Sequence, residues 1–196
     1  MVSTSLEPLS DAINLFERVL VGVRPEQWSL TTPCDAWNVQ QLVDHVVSGQ
    51  HLAARAIRGQ PPEGSMAVPW VGDPGEAVGQ YKSSARELLA AFAEPGALER
   101  VVTVPAGTLP GAVVVHLRTT DALVHGWDLA RASAQPFDVP TDLAEGALAF
   151  SRPRIEGMPP GRHTFAPSRP VAEDAPAIDR LVALLGRDPG WARSPH

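Results

Sequence analysis

Residues 118–128 of this 196-residue chain are Arg-Thr-Thr-Asp-Ala-Leu-Val-His-Gly-Trp-Asp, the centre of a helix predicted from about 112 to 132. Asp121 and His125 are four residues apart, so a helix places them one turn apart on the same face. A carboxylate and an imidazole at that spacing can both reach one divalent cation. Because the spacing is common, a satisfied Asp–His pair or a histidine buried between helices stays an alternative.

Five further helices are predicted around this stretch, because apolar residues recur there at steps of three and four. They cover about 5–21, 38–57, 76–93, 141–150 and 177–185, with Asn38 as the expected N-cap of the second. Residues 100–104 have an extended pattern, for an edge strand or a connector. The Pro- and Gly-rich stretches 60–75 and 151–176 are predicted to be a loop and a surface wrap. One all-α domain over 1–196 follows, with its core at about 5–151 and a C-terminal wrap at about 152–196.

The composition excludes several classes of function. Hydrophobic residues make up 44% of the chain and charged residues 19%, as in ordinary globular proteins. The net charge of -6, with no basic face, argues against a nucleic-acid partner. A single cysteine excludes an intrachain disulfide and suits a reducing compartment. Neither a signal-peptide pattern nor an apolar run of ~20 residues is found, so a cytoplasmic protein without a membrane span is expected.

His45 is the third candidate metal ligand. It lies within the predicted second helix among apolar neighbours, where a lone histidine is more often a hydrogen-bonded core residue. Three ligands from two facing helices nevertheless form a recurring type of metal site in helical bundles. Such a site keeps coordination positions open for water or substrate. Four other histidines are not expected to be ligands, because of their helical phase or position: His51, His116, His163 and His196.

Arg118 and Asp128 share the helix face of the two candidate ligands on their helix. Arg118 can neutralise Asp121 in a structural ion pair, which is the strongest rival to Asp121 as a ligand, or it can contact an anionic substrate. Asp128 can orient a ligand through a hydrogen bond. Cys34 has no partner cysteine and no adjacent base, so it is interpreted as a small buried apolar residue rather than as a ligand or nucleophile.

Two motifs resemble those of a known family. They are Thr32-Pro33-Cys34-x-x-Trp37-x-Val39-x-x-Leu42-Val43-x-His45-Val46 and Asp121-x-Leu123-Val124-His125-x-Trp127-Asp128-Leu129-Ala130. Both are similar to the metal-binding domain of mycothiol-dependent maleylpyruvate isomerases, within the DinB-like group of proteins. The tail, from Phe165-Ala166-Pro167 to Asp188-Pro189-x-Trp191, resembles a largely uncharacterised actinobacterial subgroup. The resemblance implies a DinB-like four-helix bundle with long loops and a C-terminal Pro-rich wrap that ends in a short helix.

The resemblance also implies a site and a chemistry. His45, Asp121 and His125 correspond to the family's metal ligands, although the isomerase has Glu where this chain has Asp121. Zinc is the expected ion, and nickel, iron and manganese also suit these ligands. The implied function is a thiol-dependent transferase or isomerase, in which the metal activates a thiol such as mycothiol towards an electrophile and Arg118 receives an anionic co-substrate.

One difference from the isomerase bears on this function, and two alternatives to it remain. The isomerase has an additional C-terminal α/β domain, and here only the wrap and a short helix follow, which counts against maleylpyruvate isomerisation itself. One alternative is a non-enzymatic module that binds or senses a small molecule through the metal. Another is a metal-free bundle with satisfied core polar groups. The sequence does not identify the metal, the thiol or the electrophile, and it neither requires nor excludes a homodimer.

Overall fold

The computed structural model describes residues 5–60, 74–157 and 165–192. These ranges contain six α-helices and one antiparallel hairpin, so the all-α prediction is confirmed. The helices are α1 (Glu7–Val21), α2 (Val39–Ile57), α3 (Ala77–Phe92), α4 (Gly111–Ser133), α5 (Thr141–Glu156) and α6 (Ala177–Leu184). The hairpin pairs β1 (Val101–Val104) with β2 (Gly107–Pro110). Within these ranges, every helix is too short or too polar to cross a bilayer.

Helices α1 to α4 form a four-helix bundle, in which α1 packs along α4 and α2 packs along both α3 and α4. The apolar steps of three and four bring one face of each helix into a common core. Phe16 of α1 and Tyr81 of α3 stack there with ring centroids 4.8 Å apart. The packing of α2 on α4 decides the site, because the candidate ligands lie on these two helices.

The start of α2 is held by a capping box. The Asn38 Oδ1 accepts a hydrogen bond from the backbone N–H of Gln41 at 2.9 Å, and the Gln41 side chain accepts one from the Asn38 N–H at 3.0 Å. The predicted N-cap is therefore confirmed. Because both bonds fix the first turn, they also fix the rotation of α2 that carries His45 toward α4.

The strand alternative at 100–104 is confirmed, with a partner strand that was not predicted, and one helix boundary was wrong. The extended run at 100–104 is half of a hairpin, whose second strand starts at Gly107 with a φ of 124° that favours glycine. Helix α5 continues through Pro153 to Glu156 instead of ending near Phe150. Pro153 lies in the last turn; its missing N–H removes one helical hydrogen bond, and only three more helical residues follow it. Helix α5 therefore extends beyond the predicted start of the wrap, and residues 158–164 lie outside the described residues.

The C-terminal segment does more than cover the surface. Leu181 and Leu185 are 0% and 1% exposed, and they pack in a second apolar cluster with Leu123 and Trp127 of α4. Helix α5 contributes Leu148 to the same cluster. As a result, residues 177–187 are anchored against the helix that carries the candidate site.

Candidate metal centre

The three predicted ligands converge between α2 and α4. One ligand atom of each of His45, Asp121 and His125 lies within 4.8 Å of the other two. The Asp121 Oδ1 is 3.5 Å from the His45 Nε2 and 3.7 Å from the His125 Nε2. Within the described parts of the chain, no other group of three such side chains comes this close. The structure thus joins residues that are separated by 80 positions of sequence.

The two carboxylate oxygens of Asp121 have different neighbours. Oδ2 accepts a hydrogen bond from the Arg118 Nη2 at 2.7 Å, while Oδ1 faces the two histidines. Burial raises the pKa of Asp121, but Arg118 and the two histidines outweigh it and hold the pKa well below its usual range. The ion pair with Arg118 is therefore present, and it leaves one charged oxygen directed at the histidines.

Gly49 of α2 makes room for Arg118. The Arg118 side chain is 14% exposed and lies against the Gly49 backbone, where an added Cβ would be 2.6 Å from the Nη1. That distance is shorter than real Cβ contacts, so any larger residue would displace the guanidinium. The Arg118 Nε is buried, with no hydrogen-bond partner among the described residues. Only part of the donor capacity of this guanidinium is used.

His125 is buried and oriented by Asp128. Its Nδ1 is 3.0 Å from the Asp128 Oδ2, and the Asp128 side chain is 0% exposed. A carboxylate can only accept here, so the His125 Nδ1 carries the hydrogen and the Nε2 is the ring nitrogen that faces Asp121. This is the tautomer in which the Nε2 can bind a metal. The hydrogen bond expected for Asp128 is therefore present.

Trp37 forms one wall of the site. Its ring stacks on His45 with centroids 4.2 Å apart and meets the edge of His125 at 5.4 Å. The Thr32 hydroxyl donates to the Trp37 carbonyl at 2.8 Å and so fixes the turn that precedes α2. Through these contacts Trp37 shapes the surroundings of the candidate ligands.

A half-open cavity of about 230 Å³ adjoins this wall. Its lining includes Thr31, Cys34, Trp37 and Gln41. Cys34 is half-buried in the cavity wall rather than packed in the core, so its interpretation as a buried apolar residue was only partly right. Burial raises the pKa of the Cys34 thiol, although Arg187 opposes the shift, and the thiol is therefore protonated at neutral pH. Cys34 is not part of the converging group of ligand atoms.

The other histidines lie apart from the site where the structure describes them. The His51 Nδ1 is 2.7 Å from a Glu87 carboxylate oxygen, and His116 stacks on Phe150 at 4.8 Å. Neither belongs to the converging group, as predicted. His163 and His196 lie outside the described residues.

Arg187 is the residue that sequence reasoning missed. It follows α6, is 6% exposed, and its Nη2 donates to the Asp128 Oδ2 at 3.0 Å. The two residues are 59 positions apart, so no local spacing connects them. The available signal was Gly186 at the end of an apolar helix, which indicates a tight turn directing the next side chain back to the core.

The comparisons with known proteins agree with this geometry. Residues 9–130 match the pattern of the mycothiol maleylpyruvate isomerase N-terminal domain. Uncharacterised proteins of two Mycobacterium tuberculosis strains are each 35% identical over 182 residues, covering 90% of this chain and 93% of theirs.

Two crystal structures of a mycothiol-dependent maleylpyruvate isomerase, one of a point mutant, are similar in fold. Their TM-scores are 0.60 and 0.58 at 16% and 19% identity, over 71% of this chain. This chain spans 65% of the length of that isomerase. At this level of identity the likeness shows the shared fold.

Proposed function

We propose that this chain, which belongs to the mycothiol maleylpyruvate isomerase N-terminal domain family, binds one divalent metal ion. The ion would take part in a thiol-dependent transferase or isomerase reaction. The observation that carries the proposal is the convergence of His45, Asp121 and His125 at one point between α2 and α4. Because the isomerase of similar fold is mycothiol-dependent, mycothiol is the first thiol to test.

The donor set fits such an ion. Two imidazole nitrogens and one carboxylate oxygen suit zinc first, and also nickel, iron and manganese. With metal–ligand bonds of about 2.1 Å, adjacent ligand atoms of a tetrahedral site are ~3.4 Å apart. The distances of 3.5 and 3.7 Å from the Asp121 Oδ1 to the two histidines are close to this value. Small side-chain movements are enough to hold the ion, and three protein ligands leave a position for a further group.

The residues around the site would have different roles in the proposed reaction. When bound, the ion supplies positive charge that favours deprotonation of a thiol and polarises an electrophile. His45 is the more exposed candidate ligand, at 37%, whereas His125 is buried, at 4%. The cavity beside Trp37 offers space for a small substrate. The Arg118 guanidinium, 14% exposed beside Asp121, is the positive group that could receive an anionic co-substrate. The cytoplasmic location and single-domain organisation stay predictions.

Thermal unfolding with and without metal tests the binding step. Zinc at 100 times its Kd stabilises a protein by about 2.7 kcal/mol. For a chain of this size, the melting temperature rises by about 5–11 °C. His45→Ala and His125→Ala are expected to lose this rise. His51→Ala, which removes an exposed histidine paired with Glu87, should retain it. Failure of the chelator-treated wild type to bind zinc, nickel, iron or manganese overturns the proposal.

A conjugation assay tests the thiol step. The zinc-loaded protein is mixed with mycothiol and an alkylating electrophile, and consumption of the electrophile is followed against the His125→Ala variant. Faster consumption by the wild type supports a transferase. Binding of the thiol to the wild type without consumption of any electrophile tested supports the non-enzymatic binding module instead.

A further inference from the structure

A buried ion pair joins the C-terminal segment to the metal centre. The Arg187 guanidinium approaches both oxygens of Asp128, with Nη2 at 3.0 Å from Oδ2 and Nε at 3.4 Å from Oδ1. Asp128 is 0% exposed and Arg187 is 6% exposed. The desolvation of two charges offsets most of their attraction, so such a pair adds little net stability. The role of this ion pair therefore lies in how it orients the neighbouring side chains.

Asp128 Oδ2 is shared between Arg187 and His125. It accepts from the Arg187 Nη2 and from the His125 Nδ1, each at 3.0 Å. A guanidinium is charged at any pH that a protein experiences, so it holds the Asp128 carboxylate in place. Held this way, the carboxylate also accepts from the His125 Nδ1–H, which leaves the Nε2 as the ring nitrogen that faces the ligand group.

The position of Arg187 is itself built into the segment. Gly186 has a φ of 85°, and an added Cβ there would lie 2.6 Å from the Ala166 carbonyl oxygen. The Arg187 Nη1 also donates to the Leu185 carbonyl at 2.9 Å. Because Leu185 is buried against α4, this turn presents the guanidinium to Asp128 in one orientation.

We propose that Arg187 is a positioning residue of the metal centre, acting through Asp128 to hold His125 in its metal-binding tautomer and orientation. The segment after α6 thereby completes a site whose ligands all come from α2 and α4. This inference rests on the proposed metal-binding function, and it concerns residues that contact no ligand themselves.

The test compares three variants. Arg187→Gln removes the positive charge, and Arg187→Lys keeps the charge but cannot make the bidentate contact with Asp128. Arg169→Gln is the matched control. The Arg169 Nε donates to the Gly186 carbonyl at 3.1 Å, so it supports the same turn without contacting Asp128. Zinc affinity is measured by competition with a chromophoric chelator. The His125 tautomer is measured in the metal-free protein from its ring nitrogen NMR shifts.

Arg187→Gln is expected to weaken zinc binding by about 10–100-fold, as loss of groups that orient a ligand does. Its His125 ring should lose the strong preference for the Nδ1–H tautomer. Arg187→Lys should fall between this variant and the wild type, and Arg169→Gln should match the wild type in both measurements.

Wild-type tautomer and affinity in a folded Arg187→Gln protein overturn the inference. Equal losses in Arg169→Gln also overturn it, because they mean that the turn and not the guanidinium matters. If Arg187→Gln does not fold, a wild-type tautomer in Arg187→Lys counts against the inference and a mixed one supports it. If the wild type itself binds no zinc, the proposed function fails, while the nitrogen shifts still decide whether Arg187 orients His125.

Discussion

Substitution of Gly49 by alanine is expected to change the stability of the protein in two opposite ways. Alanine is favoured over glycine inside a helix by about 1 kcal/mol, so the change alone should stabilise α2. The new Cβ, however, would lie 2.6 Å from the Arg118 Nη1 and 2.9 Å from the Nη2. The guanidinium must move, and its 2.7 Å hydrogen bond to the Asp121 Oδ2 is lost or stretched.

The second effect is the larger one. A hydrogen bond between charged groups contributes about 1.5–3 kcal/mol to stability. Subtracting the helical gain leaves Gly49→Ala less stable than the wild type by about 0.5–2 kcal/mol. In an Arg118→Ala background the clash is absent, so the same substitution should stabilise by about 1 kcal/mol. The sign of the effect therefore reverses between the two backgrounds.

Urea unfolding of the four metal-free proteins, monitored by circular dichroism, measures this double-mutant cycle. Gly146→Ala is the matched control, because Gly146 lies in α5 and a Cβ added there would have none of the described neighbours within 4 Å. It should stabilise in either background. If Gly49→Ala stabilises the wild type as much as Gly146→Ala does, the Arg118 guanidinium moves aside without losing its bond to Asp121, and the reasoning is refuted.

Three further predictions concern parts of the fold around the site. Burial, with Arg154 nearby, lowers the pKa of His116, so the unfolded state binds more protons and stability should rise with pH up to about 6.5. His116→Gln should flatten that rise in metal-free urea titrations, and an unchanged slope contradicts it. Tyr81→Phe removes a 3.0 Å hydrogen bond to the Ile13 carbonyl, so it should cost about 1 kcal/mol in urea unfolding without altering zinc affinity. Leu181→Ala empties a site that is 0% exposed and should cost about 2–5 kcal/mol. A cost below about 1 kcal/mol in the same assay would mean that α6 is not part of the cooperative core.

Local patterns were sufficient for most of the fold. The helices follow from apolar periodicity, and the start of α2 follows from Asn38 and Gln41, because a capping box involves only neighbours in sequence. The second strand, Gly107–Pro110, has no apolar alternation, so nothing local distinguishes it from a turn. The end of α5 was missed because a proline usually ends a helix before it, whereas this helix continues past Pro153 to Glu156.

The candidate site likewise contains some residues that local sequence patterns predict and others that they do not. Asp121 and His125 could be found from their spacing, since a helix fixes which residues share a face. The sequence could not predict that one Asp121 oxygen bonds Arg118 while the other faces the histidines. That arrangement depends on a side-chain rotamer and on the room that Gly49 leaves for Arg118. Arg187 reaches the site only through the packing of α6 on α4, a contact between distant parts of the chain.

The charges around the site bear on what it would bind. Asp121 pairs with Arg118, and Asp128 pairs with Arg187, so two negative and two positive groups cancel around the histidines. A divalent ion would add two positive charges to a partly buried place where no protein carboxylate of the group is left unpaired. Uncompensated charge is costly in partly buried surroundings, so anionic ligands that enter with the ion would improve the balance. A thiolate and an anionic co-substrate together supply two negative charges, whereas a neutral thiol and a neutral electrophile supply none. The electrostatics thus favour an acidic electrophile as the second substrate of the proposed reaction.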